Sequence, residues 1–253
     1  VKLSNGNPFA EAATFTALGS AGQESNEAPI DAHAVVRSGN MPAGVQNPRS
    51  VARAMLDAQD WLPFAAESYN ISPKLEDMII VPTTIFLTDI PNANLAAFPF
   101  EEMSMWNPVA GQITYRTWRG KPTYLEHAND DPTKAKGVIL DASLRPVPSY
   151  IGNLHRVVLL NAWDRNRDPE LAARIGAGRH GYSMGCWVSD YECSVCAASL
   201  RRGGCVHIHP KAGITIPRVG DKLTYRVARG CTGFECSAVS RPAFKSAVAE
   251  PIG

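Results

Sequence analysis

EDMIIVPTTIFLTDI, residues 76–90, decides what kind of fold this chain builds. Its β-branched and apolar residues favour an extended backbone, and Pro82 within it removes a ladder donor. A strand with a missing donor belongs at a sheet edge or carries a bulge. The folded core is therefore expected to start at Glu76.

Working outward from that strand, FPFEEMSMW reads as a short helix, and ITYRTWRGKPTYLEH alternates apolar and polar residues up to His127 as a half-buried strand does. AKGVILDASLRPV and HRVVLLNAWDR are two further strands by the same test. RDPELAARIGAG is a delimited helix, with Asp168 at its N-cap, Pro169 at its first position and Gly176 or Gly178 past its end. It leads into GYSMGCWVSDYECSVC, residues 181–196, a small-residue segment that runs into a cysteine cluster. DKLTYRVARG and GFECSAVSRPAF are expected to form a last strand pair, followed by a loose AVAEPIG tail. Toward the N-terminus, SVARAMLDAQDWL, residues 50–62, reads as one helix capped by Ser50. Residues 1 to 50 have the Ala, Gly, Ser, Asn and Pro content of a flexible arm. Many strands, few helices and no regular βαβ alternation predict a β-rich α+β fold, a barrel-like curved sheet with peripheral helices. The expected organisation is an N-terminal arm and helix over residues 1–75 and a core over 76–250, with a metal-binding insert at 189–212.

At 253 residues and 45% hydrophobic content the chain can bury a full core without staples. With 25 basic against 24 acidic residues it has no global field for nucleic acid or an anionic membrane, and neither is expected as a partner. No apolar run reaches the roughly 18 residues of a membrane span, and VKLSNGNPFAEA lacks the layout of a signal peptide. A soluble chain that does not use the usual export signal is expected.

All six cysteines lie between positions 186 and 236, a clustering that favours metal over a disulfide framework. YECSVCAASLRRGGCVHIHP gives C-x2-C-x8-C followed by His207 and His209. Three thiolates and one imidazole make a closed tetrahedral zinc shell, structural because no position is left for water. Cys193, Cys196 and Cys205 are the candidate thiolates, with either histidine fitting the fourth place. Cys186, Cys231 and Cys236 read as core.

A catalytic serine needs a base within hydrogen-bond reach and a group that orients that base. From pattern alone Ser183 reads first as a turn residue and a strand-end histidine as a solvated one. Among the histidines, His33 lies in the arm and His207 and His209 compete for metal. His127, at a strand end facing a polar turn, is the preferred base. His180 is too near Ser183 in the chain to share its face in an extended segment, and His155 has only its place at a strand mouth.

GKPTYLEH, AKGVILDASL, GYSMGCWV and GFECSAVSRPAF, in that order over about residues 76 to 244, resemble the ordered blocks of bacteriophage prohead maturation proteases. These are serine peptidases with the herpesvirus protease fold. The resemblance implies that His127 and Ser183 form the catalytic pair. It also implies that Glu235, in a block of the form E-x-S-x-V-x-x-P-A, is the third member; the rival reading of that carboxylate is a salt bridge with a nearby arginine such as Arg229 or Arg241. Gly185 would open a backbone N–H to the oxyanion. Similar inserts in the family end in C-x-H, which selects His207 over His209. The implied function is a serine endopeptidase that processes scaffold and major capsid proteins through an acyl-enzyme. It would act in the assembling prohead in the host cytoplasm, as a homo-oligomer or bound to the capsid. The rival is a virion structural protein that keeps the fold without activity.

Overall fold

The structure, a computed structural model, describes residues 11–15, 48–147, 154–178 and 180–242. Most of the expected arm, residues 1–10 and 16–47, and the AVAEPIG tail lie outside the described residues. In chain order the strands are β1 (Glu11–Phe15), β2 (Met78–Leu87), β3 (Ala96–Ala97), β4 (Trp106–Asn107), β5 (Gln112–Ile113), β6 (Pro122–Leu125) and β7 (Gly137–Pro146). They continue with β8 (His155–Asp164), β9 (Gly181–Cys193), β10 (Ile208–His209), β11 (Gly213–Ile214), β12 (Arg218–Val219), β13 (Lys222–Leu223) and β14 (Arg226–Val239). The helices are α1 (Pro48–Gln59), α2 (Leu62–Tyr69), α3 (Phe100–Ser104) and α4 (Pro169–Gly176).

The reading of residues 76–90 holds in both respects. β2 ends the path β1, β9, β14, β6, β7, β8, β2 of the main sheet, so it is an edge strand. It runs antiparallel to β8 with Pro82 opposite Leu160, and its register shifts between Thr84 and Phe86. The sheet is mixed, because β6 and β3 pair with β14 in parallel. It does not close among the described residues, so the barrel expectation gives way to a large open sheet with few helices.

Period-2 alternation along the strands splits the core in two. Val81, Ile139, Leu159 and Trp163 point into one cluster, which also takes Trp118, Tyr182 and Met184. Met78, Ile80, Val138, Leu140, Leu160 and Ala162 point into the other. The second cluster is capped by Ala54, Ala58, Leu62 and Ala66, so the expected single helix is two helices, α1 and α2, packed on the sheet. Pro63 starts α2, and Asn70 in the left-handed region ends it.

Two strand expectations are corrected. Residues 114–118, read as half of an alternating strand, wind into a 3-10 turn. The three-residue period puts Tyr115 and Trp118 on one side, both in the first core cluster, and Thr117 Oγ1 accepts from Gly233 N at 2.7 Å. The expected terminal strand pair is one 14-residue strand, β14, which runs straight through Gly230. That glycine has φ +62°, and a Cβ on it would meet Ser189 Oγ at 1.9 Å, so it marks a close approach and not a hairpin. The partner of β14 is β9, paired from Arg226 opposite Cys193 to Val239 opposite Gly181.

β7, β8 and α3 form as read, and α4 has the expected ends, with Asp168 Oδ1 accepting from Leu171 N at 3.0 Å and Gly178 at φ +69° beyond it. One part of the arm joins the sheet. β1 pairs antiparallel with β9 on its outer side, ending with Phe15 opposite Met184.

Candidate functional site

The small-residue segment GYSMGCWV becomes the first half of β9, and alternation sorts its side chains. Tyr182, Met184 and Cys186 belong to the first core cluster, so Ser183 and Gly185 face the other side of the sheet. On β14, Cys236 and Ala238 belong to that same cluster, which turns Glu235 and Ser237 to the face of Ser183. The register puts Ser183 directly opposite Ser237, and Ser237 opposite Tyr124 of β6. Ser183, Ser237 and Tyr124 thus form a row across three strands, with directly paired residues about 5 Å apart at Cα.

His127 follows the end of β6 by a tight turn. Glu126 and His127 both adopt left-handed backbone, φ 49° and 58°, which costs a non-glycine residue about 1–2 kcal/mol each. Hydrogen bonds offset that cost by clamping the turn to the end of β14. Glu126 N donates to Ala238 O at 2.9 Å, Ser240 N to Glu126 Oε1 at 2.7 Å, and Asn129 N to His127 O at 2.7 Å. The imidazole is thereby turned back over β14, where Nδ1 lies 3.2 Å from Glu235 Oε1.

Glu235 is fully buried while the His127 side chain keeps 28% of its exposure. The carboxylate's other oxygen, Oε2, accepts from Ser237 Oγ at 2.5 Å. Arg229, one alternative partner, is instead bonded through Nε to Glu192 at 2.9 Å. Gly185 makes room for the Glu235 carboxylate. A Cβ there would lie 2.6 Å from Glu235 Oε1, so a glycine opposite Glu235 leaves the room the carboxylate occupies. Ser183 is 2% exposed, and among the described residues no hydrogen bond joins it to His127.

Of the two competing histidines, His180 is at the His127 end of the sheet, near enough for Glu126 to act on its charge, and His155 is not. His155 starts β8 at the opposite end of the sheet and stacks on Phe100 at 4.3 Å between ring centres. His180 is partly buried, its Nε2 has no partner among the described residues, and burial holds its pKa below the usual value, with Arg174 adding to the effect.

At the far end of the β9–β14 ribbon, Cys193, Cys196, Cys205 and His207 place one ligand atom each within 4.8 Å of one another. His207 Nδ1 lies 3.7 Å from Cys193 Sγ and 3.6 Å from Cys205 Sγ. Cys193 ends β9, and the turn after it closes by Ala197 N donating to Cys193 O at 2.8 Å, with Ala197 itself left-handed at φ 56°. Burial opposes ionisation of Cys205, yet the backbone N–H groups of Ile208 and His207 bring its thiol down to about 6. Three sulfurs and one imidazole nitrogen at mutual contact suit a single tetrahedral ion. His209 is elsewhere, its Nδ1 accepting from Lys211 N and Ala212 N at 3.2 Å, so the choice between the two histidines falls on His207. Cys186, Cys231 and Cys236 are buried in the core as read.

No protein-family model matches the chain, and neither does any curated protein. Among solved structures, the chain is similar to the bacteriophage T4 capsid assembly protease, gp21, at 17% identity and a TM-score of 0.39. The similarity covers 64% of this chain and 82% of that one.

Sequence reasoning missed Ser237 and the role of Gly185. The E-x-S spacing of Glu235 and Ser237 was a signal for the former, since residues two apart on a strand share a face.

Proposed function

We propose that the chain is a serine endopeptidase of the phage prohead type, with Ser183 as nucleophile, His127 as general base and Glu235 as the group that orients it. The observation that carries this is the contact of His127 Nδ1 with the buried Glu235 carboxylate, on the sheet face that also bears Ser183. An ionised carboxylate only accepts hydrogen bonds, so Nδ1 holds the ring proton and Nε2 keeps its lone pair. That is the tautomer a base requires. Nε2 takes the proton from Ser183 Oγ as the oxygen bonds to the scissile carbonyl carbon. The imidazolium, stabilised by Glu235, then gives the proton to the departing amine as the C–N bond breaks. Water, activated by the same nitrogen, hydrolyses the acyl-serine and restores the enzyme.

Cys193, Cys196, Cys205 and His207 would hold a structural zinc ion. These four ligands would fill its shell, so it would brace the insert between β9 and β14 and offer no open position for substrate. Scaffold and major capsid proteins are the proposed substrates, inside the prohead in the host cytoplasm. The support for that setting is the order of the four sequence blocks.

One observation favours the alternative, an inactive capsid-associated protein: Ser183 is 2% exposed and lacks a hydrogen bond to His127 among the described residues. Catalytic hydrogen bonds in free enzymes are often loose and tighten when substrate arrives. The two readings part on one assay, in which the full chain is incubated with an unfolded protein substrate and new N-termini are followed by mass spectrometry. Cleavage by the wild type that is lost in Ser183→Ala and His127→Ala supports the peptidase. Equal cleavage by Ser183→Ala, or none by the wild type, supports the inactive form.

A further inference from the structure

Glu235 is a carboxylate with none of its side chain exposed, and the only ionic contact it makes among the described residues is to His127. Burial favours the neutral acid unless hydrogen bonds stabilise the anion. One such bond is present. Ser237, itself fully buried two residues along the same strand face, donates through Oγ to Glu235 Oε2, while Oε1 is left to His127 Nδ1. Gly185, opposite Glu235 on β9, leaves the carboxylate no side chain to lean on from that direction. Among the described residues the hydroxyl is thus the one group that both supports the negative charge and fixes which oxygen meets the imidazole.

We propose that Ser237 is a positioning residue, which keeps Glu235 ionised with Oε1 aimed at His127 and so sets the tautomer and basicity of the imidazole. Its catalytic consequence rests on the peptidase reading; its effect on His127 does not. The other titratable groups at this end of the sheet are already engaged or differently tuned. Glu126 is bound by Ser240 N, Asp130 pairs with Lys134, and Asp131 accepts from Thr133. The Tyr124 phenol is pushed up by burial, and burial holds the His180 pKa below its usual value.

The test compares full-length wild type, Ser237→Ala and Ser237→Thr. His127 is followed by imidazole NMR against pH, with its signals assigned by His127→Ala, and cleavage is followed on one peptide substrate. In Ser237→Ala the carboxyl loses its donor and shifts toward the neutral acid. The His127 pKa then falls by about one unit, the Nδ1 proton signal weakens, and kcat drops about 10- to 100-fold with KM nearly unchanged. Ser237→Thr, which keeps the hydroxyl, restores both the titration and most of kcat. A His127 titration that is the same in all three proteins overturns the assignment. A wild type without cleavage overturns the peptidase reading alone, because the titration still reports on Ser237. If Ser237→Ala does not fold, the Thr variant decides: wild-type behaviour supports the proposal, and a displaced His127 titration with the hydroxyl present counts against it.

Discussion

The two ends of the β9–β14 ribbon are built from the same pair of strands and held by opposite means. At the Gly181 and Val239 end, Tyr182, Met184, Cys236 and Ala238 are fully buried in a core shared with Trp118 and Trp163. Burial there positions Ser183 and Glu235 by dictating which residues must point the other way. At the Cys193 and Arg226 end the strands open into residues 194–225, most of which are exposed, with Ile208 the main buried apolar side chain. Apolar area is too scarce there to order about thirty residues against their conformational entropy. Four residues whose ligand atoms could together hold a metal ion stand there instead. The ends are about 40 Å apart along β9. Chemistry at one end and bracing at the other should therefore be separable.

The largest expected effect breaks the first end alone. His127→Ala should lower the rate of peptide cleavage by about 10²- to 10⁴-fold, the range assigned to a general base, with thermal unfolding shifted by only a few degrees because the ring is partly exposed. Equal losses of activity and of folded protein would mean that the residue is structural.

The next effect breaks the second end alone. Cys196→Ser, or stripping the metal with a chelator, should remove the bound metal measured by elemental analysis and raise amide exchange over residues 194–225. Cleavage should stay within a few-fold of wild type. His207→Ala should also lose the metal, whereas His209→Ala should retain it. Loss of cleavage in step with the metal would show that the ends are coupled.

Gly185→Ala sharpens the contrast from the site side. Its methyl would stand 2.6 Å from both Glu235 Oε1 and Phe234 Cζ. Overpacking of this kind costs about 1–3 kcal/mol, seen as a lower midpoint in urea. On the proposed reading activity should fall further than stability, since the displaced group is the carboxylate in contact with His127 Nδ1. An unchanged His127 titration in this variant would argue against the shared site.

The smallest effect is a pH dependence at His180. Its folded pKa lies below the ordinary 6.5 because burial disfavours the charged ring. A base whose folded pKa is depressed leaves stability intact above its unfolded pKa and loses it as pH falls from there toward the folded value. Stability measured by urea unfolding should therefore decline below about pH 6.5, and less so in His180→Gln. Parallel curves for the two proteins would remove His180 from the account.

What was legible in the sequence follows the reach of each signal. Pro82 announces an edge or a bulge through its own missing donor, and Asp168, Pro169 and Gly178 announce the ends of α4 through local backbone chemistry. The cysteine spacing is equally local, since C-x2-C makes one turn that a third cysteine and His207 can close. The misreadings lie where a distant partner sets the conformation. Residues 114–118 alternate like a strand, but Trp118 must lie under Gly233, where its ring sits within 2.2 Å of a Cβ position. Gly230 looks like a turn until Ser189 on β9 fills the space beside it. The left-handed Glu126–His127 turn has no glycine to signal it, because bonds to Ala238 of β14 and to Ser240 just after it impose it. Glu235 was reachable by family resemblance, but its choice of His127 over Arg229 came only with the fold.

The central claim is that Ser183 becomes a nucleophile because His127, aimed by Glu235, takes its proton. Mapping the site of modification by a fluorophosphonate on the native full chain tests this directly by mass spectrometry. The account predicts one adduct, on the peptide containing Ser183, and its disappearance in His127→Ala with the fold intact. An adduct on another serine, or a Ser183 adduct that forms equally fast without His127, would contradict it.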